Sequence, residues 1–456
     1  MIGRVPVWLG CQQRYQHRVS AQSRRGTGSS VGEAAGRPLT HEDLAILELE
    51  NETVAGHACK VVRLGETIDI ERLRTAIGER LHAAPGLSTR LGEVNGEPWW
   101  IADSGVDVAE HVVEAPAARS EADFLAAVAR IFAQHLDRSR PLWQIDLIPR
   151  VADGGSALIW RIHHALADGM TAMRMAGAVL WDEEAAQRSP ARAKPASRAS
   201  QLASHRFSAL MSAAREAPQP WTRSPFDGHI GARRSVAMTT LELGQVKSIA
   251  HEVAGATIND VVLALVGGAL RRWLEAHHGR LGIVRVKVPV SLHNLDQAPV
   301  RGASEPGNRD SFFCLDLPLG SVDPLGRLAN IRDATKIRKQ DHDAQHLDAL
   351  MHHLARTPRL SRFAEHVLAH PRSFALNVSN VPGPRRPVQV LGTPVPAMYT
   401  LAEIREHHAL RVAVVSLADT LNFGFVADPA IISDVDRLAG DLQAEARALS
   451  VMSAGL

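Results

Sequence analysis

The sequence has three cysteines, Cys11, Cys59 and Cys314. They lie too far apart for a Cys-x-x-C pair and are too few for an even disulfide framework, so a reducing interior is the simpler expectation. It has no uncharged apolar run of the roughly 20 residues a membrane-spanning helix needs; the best candidate is interrupted at Asp260 and again at Arg271. It has no charge excess either. With 51 Lys and Arg against 49 Asp and Glu, the net charge is +2, too even for a protein whose affinity would come from neutralising nucleic-acid phosphates. Lysine is scarce, six residues among those 51 cations, a bias that reads as the base composition of a GC-rich genome. What is present is the composition of a globular protein, 45% apolar and 22% charged over 456 residues. That length supports two hydrophobic cores or one large one.

Along the chain, residues 1–37 hold six arginines, one acid and little apolar periodicity. They read as a disordered basic leader outside the fold. From Pro38 the pattern changes. Leu44 and Leu47, then Ile70, Leu73, Ile77 and Leu81, recur at helical spacing until Pro85-Gly86. A strand is expected around Trp99–Ile101, a helix over about 121–135, and a hairpin from residues 143–148 and 157–162 around Asp153-Gly-Gly155. Residues 182–235, rich in Ala, Ser, Arg and Pro, form a crossover linker between halves 38–181 and 236–456. In the second half, strands are expected at 235–243, 283–290, 312–317 and 373–381, a final hairpin at 410–426, and an apolar helix over 259–275.

The informative segment is His163-His164-Ala-Leu-Ala-Asp168-Gly169, directly after an apolar strand. Random placement of 22 histidines gives about one adjacent pair, and the chain has four, so the dipeptide alone is a weak motif. Only this pair is followed by an acid and a glycine between strand and helix. Neighbouring side chains at a strand end point to opposite faces, so the two rings do not converge on one metal, and zinc is disfavoured. One imidazole facing a cleft serves as a general base, with its ordinary pKa near 6.5; two satisfied strand-end histidines are the competing reading. Asp168 fixes the turn, orients an imidazole or makes a structural ion pair, and Gly169 permits a backbone geometry or a close packing that a side chain would block.

His163–Gly169 resembles the HHxxxDG signature of CoA-dependent acyltransferases and peptide-synthetase condensation domains. Its surroundings resemble the bacterial wax ester synthase/diacylglycerol acyltransferase family: LDRSRPLWQIDLI, GATINDVVLALVGGALRRWL, KVPVSL, Gly307-Asn308, NVSNVPGP and LNFGFVADP follow in the same order. The resemblance covers about residues 40–181 and 236–450. It implies an α/β (α+β) fold of two chloramphenicol-acetyltransferase-like domains, each a mixed sheet flanked by helices, with a tunnel between them.

The resemblance further implies that His164 is the base, removing a proton from an acceptor hydroxyl as it attacks a thioester carbonyl, with no covalent acyl-enzyme. His163, Asp168 and Gly169 complete that segment, and Asp168 is expected to pair with an arginine. Asn259 and Asp260 either cap their helix or line the substrate path. Ser379 and Asn380 either hydrogen-bond at a sheet end or supply an oxyanion donor. Pro141-Leu142-Trp143 packs the core. No cofactor or metal is implied, acyl-CoA being a substrate; the partners are acyl-CoA, a lipid alcohol and a membrane or lipid-droplet surface, and not nucleic acid. The place is the cytoplasm, peripheral to the inner membrane or droplets. An apolar stripe of Phe207, Leu210 and Met211 with nearby Arg198, Arg206 and Arg215 is a candidate lipid contact. Two departures from the family pattern, Glu403–His408 in place of a glycine-containing segment and His293 in place of an arginine, bear on the acceptor. Acyl transfer to another lipid hydroxyl, or a droplet-coating protein without turnover, are the competing functions.

Overall fold

The computed structural model describes residues 36–182, 224–277, 283–291, 310–341, 370 and 372–453. The expected hairpin is its central feature in the first half. Trp143–Ile148 pairs antiparallel with Ala157–His163, Trp143 opposite Ile162 and Ile148 opposite Ala157. Every residue of Ala157–His163 is buried, as a strand in the middle of a sheet requires. The five strands run in the order Ala397–Ala402, His57–Arg63, Ala157–His163, Trp143–Ile148 and Val112–Glu114. Helix Ile70–Arg80 starts where the Asp69 carboxylate accepts from the Arg72 N–H at 2.9 Å, and it buries Leu73 and Ile77. Helix Glu121–Phe132 starts at Ser120 and buries Phe124, Val128 and Phe132. Trp143 is held in the core by its indole N–H, which donates to the Leu87 carbonyl at 2.8 Å.

The second half is a six-stranded sheet in the order Asp310–Leu317, Val284–Ser291, Leu376–Val381, Leu410–Leu417, Thr420–Ala427 and Ser235–Glu242. Leu376–Val381 runs parallel to both its neighbours, and the other pairs are antiparallel. Helix Ile258–His277, nearly all apolar and buried from Asp260 to Leu270, packs against helices Pro324–Gln340 and Val435–Ser453. Gly268 is required there, because a Cβ at that position would lie 2.2 Å from Glu445 Cδ. The space admits the Glu445 carboxylate, which pairs with buried Arg327 and, at 3.3 Å, with Arg272.

The two sheets are tied together by a strand from the second half. Ala397–Ala402 pairs residue for residue with His57–Arg63, so chain from residues 236–456 completes the first sheet, while packing against Leu410–Leu417 and Thr420–Ala427. The approach is close enough that a Cβ on Gly424 would lie 2.2 Å from the Thr400 carbonyl oxygen. Across it, Thr240 Oγ1 stands 3.0 Å from the Tyr399 hydroxyl and donates to Asn422 Oδ1 at 2.8 Å. One hydrophobic core accordingly runs from Phe124 and Ile159 of the first half to Trp273 and Phe423 of the second, and another lies around Leu73, Trp100 and Trp160.

At the start of the described chain, Gly36 and Arg37 pair with Ile101 and Trp100. These last two residues of the expected leader therefore belong to a strand, Gly36–Pro38, and the ordered fold begins earlier than Pro38. Gly307, Asn308, His293 and the Phe207–Met211 stripe lie outside the described residues. No described helix is long and apolar enough to cross a membrane.

Candidate active site

His163 ends its strand wholly buried. Its Nδ1 accepts from the Ala165 N–H at 3.1 Å, which places the ring proton on Nε2, 3.2 Å from Glu50 Oε2. The same oxygen of Glu50 accepts from Arg138 Nε at 2.9 Å and Nη2 at 2.6 Å. Burial alone would raise the Glu50 carboxyl, but the His163 and Arg138 hydrogen bonds and the Arg138 charge hold it below its ordinary value. Space for the ring comes from Gly56, at φ +70°, where a Cβ would lie 2.6 Å from His163 Nε2. His163 is therefore a fixed structural post.

His164 opens the turn after the strand and is half-buried. Its backbone N–H donates to the Gly56 carbonyl at 3.0 Å, so one glycine sets both histidines. Burial, followed by the charges of Arg411, His163, Arg405 and Lys60, pushes the His164 imidazole well below its ordinary pKa. At neutral pH it is an uncharged base, the form that accepts a hydroxyl proton.

Asp168 is buried and caps helix Gly169–Val179, its Oδ1 accepting from the Thr171 N–H at 2.6 Å. Its charge also acts on Lys60, a buried lysine of the neighbouring strand whose ammonium donates to Thr400 Oγ1 at 2.9 Å. Burial, partly offset by Cys59 and Asp168, brings Lys60 down to about 8. Gly169 meets the second half directly, since a Cβ there would lie 3.0 Å from Val381 Cγ2. Side chains two apart on a strand share a face, so Ser379 lies on the face that Val381 turns toward Gly169, and Asn380 lies on the opposite one. Asn377 shares the Ser379 face, and its buried Oδ1 has no hydrogen-bond partner among the described residues. Ser379 and Asn380 are both half-buried.

Asp260 is placed differently. It closes a capping box in which its carboxylate accepts from the Thr257 N–H at 2.8 Å and hydroxyl at 2.7 Å, and its other oxygen accepts from the Thr335 hydroxyl at 2.6 Å. Thr257, rather than Asn259, is the capping residue; Asn259 sits half-buried in the first turn. A cavity of about 470 Å³ beside Asp260 is walled by Arg332, Thr335 and Lys336 and by no residue of 163–169.

Sequence reasoning missed the groups that hold the histidines. Glu50, Gly56 and Lys60 belong to no motif, and a lysine in a strand buried from His57 to Val62 has no local signature. Glu403 was noticed only as part of a departure. Burial raises its carboxyl even though Arg234 Nε donates to it at 2.7 Å, and it accepts from the Ala55 N–H at 3.3 Å. Arg234 also donates to the Thr53 carbonyl. The second half thus grips the loop that carries Gly56.

This two-sheet architecture is shared by acyltransferases and condensation domains. The wax ester synthase/diacylglycerol acyltransferase of Marinobacter aquaeolei VT8 superposes with a TM-score of 0.68 at 22% identity, covering 92% of this chain and 100% of that one. The first condensation domain of the CDA synthetase gives 0.59 at 15% identity, covering 93% and 97%. At these identities the likeness is one of fold. In sequence, the wax ester synthase/diacylglycerol acyltransferase catalytic domain matches residues 39–219 and the C-terminal domain of the same family matches residues 306–450. A Mycobacterium tuberculosis protein named as a diacylglycerol O-acyltransferase is 28% identical over 413 residues, 83% of this chain and 88% of that protein. The chain belongs to the wax ester synthase/diacylglycerol acyltransferase family.

Proposed function

We propose that this chain is an acyl-CoA-dependent O-acyltransferase that esterifies diacylglycerol with a long-chain acyl group, with fatty alcohols as second acceptors. The observation that carries the reading is His164, held neutral on the first sheet while the turn it opens packs against the Leu376–Val381 strand of the second. Two substrates entering from the two sides meet at such a junction without exposing the thioester to water. His164 takes the proton of the acceptor hydroxyl as its oxygen attacks the thioester carbonyl. The tetrahedral adduct then expels the CoA thiolate, which recovers the proton from the imidazolium. Ser379, on the face turned to Gly169, is the donor assigned to the developing oxyanion. Among the described residues, Cys59 and Cys314 are buried and form no disulfide. Burial pushes the Cys59 thiol up to about 12, so it is a poor nucleophile, in keeping with an acyl group that passes directly between substrates.

The acceptor is nearly insoluble, so the protein collects it at a bilayer or droplet surface; vesicle flotation of the full chain tests that step. The function is tested by incubating purified protein with labelled palmitoyl-CoA and a panel of alcohols. Labelled triacylglycerol as the dominant product, with a ternary-complex rate pattern, is expected. Free fatty acid alone, or an acylated residue trapped by mass spectrometry with acyl-CoA only, overturns the reading.

A further inference from the structure

Away from His163 and His164, a loop at the end of the crossover and a loop of the second half bring a separate set of donor groups together. Phe226–Ile230 precedes the first strand of the six-stranded sheet, and Arg405–His408 precedes the final hairpin. Backbone hydrogen bonds strap them side by side: the His407 N–H donates to the Gly228 carbonyl and the Ala409 N–H to the Phe226 carbonyl, both at 3.0 Å. Gly228 lets its turn sit down tightly, since a Cβ there would lie 2.8 Å from Ile431 Cδ1. His407 itself adopts φ +64°, a left-handed conformation uncommon outside glycine.

The outcome is a cluster in which a ring nitrogen of His229, a ring nitrogen of His407 and a carboxylate oxygen of Glu406 lie within 4.8 Å of one another. His229 and Glu406 are already in hydrogen-bond contact, and the Glu406 carboxylate also accepts from the Ile230 N–H at 3.3 Å. His407 Nδ1 is 2.7 Å from Asp227 Oδ1. A carboxylate on one ring nitrogen fixes the imidazole and leaves the other nitrogen to ligate, the arrangement usual around metal-binding histidines. Bond lengths of about 2.0–2.2 Å in a tetrahedral site put ligand atoms roughly 3.3 Å apart. The side chains of His229 and Glu406 are exposed, 89% and 45% accessible, so their rotamers are not locked by packing.

We propose that His229, Glu406 and His407 form a site for a divalent ion of zinc's class, with Asp227 orienting His407 and water completing the coordination. Two imidazoles and one carboxylate suit Zn²⁺ and its borderline neighbours rather than Ca²⁺ or Mg²⁺, which take all-oxygen shells. The ion pins the loop before Arg234 to the segment that begins at Glu403. Those two residues form the buried pair that grips the Thr53–Gly56 loop. The site is thus a brace on the structure behind His164, and no step of acyl transfer passes through it.

The test uses the full chain freed of metal by chelation. Zn²⁺ titration followed by calorimetry, with a parallel thermal-melt series, compares wild type with His229→Ala, with His229→Ala plus His407→Ala, and with Asp227→Asn. Since other histidines of the chain give background binding, the readout is the tightest site. Wild type is expected to gain Tm on adding Zn²⁺, the histidine variants to lose both that site and the shift, and Asp227→Asn to bind about 10–100-fold more weakly. Co²⁺ should give the intense visible bands of a tetrahedral N/O site in wild type only. Equal tight-site stoichiometry and affinity in wild type and His229→Ala, whose side chain is 89% exposed, overturns the proposal, as does the absence of a tight site in wild type.

Discussion

Buried charge is arranged differently on the two sheets. On the five-stranded sheet, Glu50, Lys60, His163 and Asp168 converge from separate elements on the turn around His164, and the Glu403–Arg234 pair holds that turn's neighbouring loop. Behind the six-stranded sheet, Glu445 with Arg327 and Asp260 with Thr335 join helix to helix. Both sets are buried and hydrogen-bonded, yet one borders on a group that reacts and the other on apolar side chains. The lesson is that burial and pairing mark polar positions as consequential, while the geometry around a base separates chemistry from architecture.

The sharpest break of this comparison is His164→Ala. Removing a positioned general base should lower turnover by about 10²–10⁴-fold in a protein whose melting temperature is nearly unchanged. His163→Ala should cost less activity and more stability, because it takes a donor from half-buried Glu50. Steady-state rates with soluble acyl-CoA, together with thermal melts, check both. A folded His164→Ala protein with near-normal turnover would reduce the first sheet's cluster to the structural role of the second's.

On the other side, Glu445→Ala leaves the Arg327 guanidinium, 1% exposed, without its partner. Stripping one member from a buried pair costs about 3–5 kcal/mol, to be read from the denaturation midpoint. Activity per folded molecule should hold, since these residues stand behind the sheet. A fall in kcat without loss of stability would erase the distinction.

Much of this division was legible in the sequence and part was not. Local pattern exposed the hairpin at 143–163, the apolar helix now seen at Ile258–His277 and the final hairpin Leu410–Ala427, because period and turn residues are local signals. His57–Arg63 escaped notice: buried on both faces around Lys60, it shows no alternation. Ala397–Ala402 is a strand whose partner lies in the other half, which no local signal announces. Helix Pro324–Gln340, studded with charges, buries only Arg327, Leu328, Ile331 and Thr335, too thin a stripe to stand out. At the site, the His163–Gly169 segment was visible as a motif. The part played by the residues that hold it was not legible, because Glu50, Gly56 and Glu403 reach it only through the fold.

Glycine gives a finer comparison of the two halves. Gly56→Ala puts a Cβ against His163 Nε2 at a left-handed φ, a strain of about 1–3 kcal/mol, and should reduce kcat as well as Tm because both histidines hang on that residue. Gly244, exposed in helix Leu243–Glu252, has nothing within 4 Å of a built Cβ. Gly244→Ala should stabilise the protein by roughly 0.5–1 kcal/mol and leave turnover alone. Parallel melts and kinetics on the two variants test whether the backbone is tuned for chemistry only on the first sheet.

The smallest effect is also the most discriminating. His164 is held well below the ordinary histidine value, chiefly by burial, so its neutral form persists as pH falls through 6.5. The acid limb of kcat/KM, which reports the free enzyme's base, should lie below that point, with little change between pH 7.5 and 6.5. An unperturbed imidazole would lose about half its base form there. Stability should behave differently over the same range. His57 and His111 are lowered as well, mainly by burial, so the unfolded chain binds protons near pH 6.5 that the native protein does not. By linkage, the stability these two histidines contribute is present above about pH 6.5 and is lost as pH drops below it. Rates measured well under Tm should therefore stay level while the melting temperature begins to fall. If kcat/KM instead titrates at pH 6.5 in step with stability, His164 is an ordinary solvated imidazole, and the first sheet does not hold its base neutral.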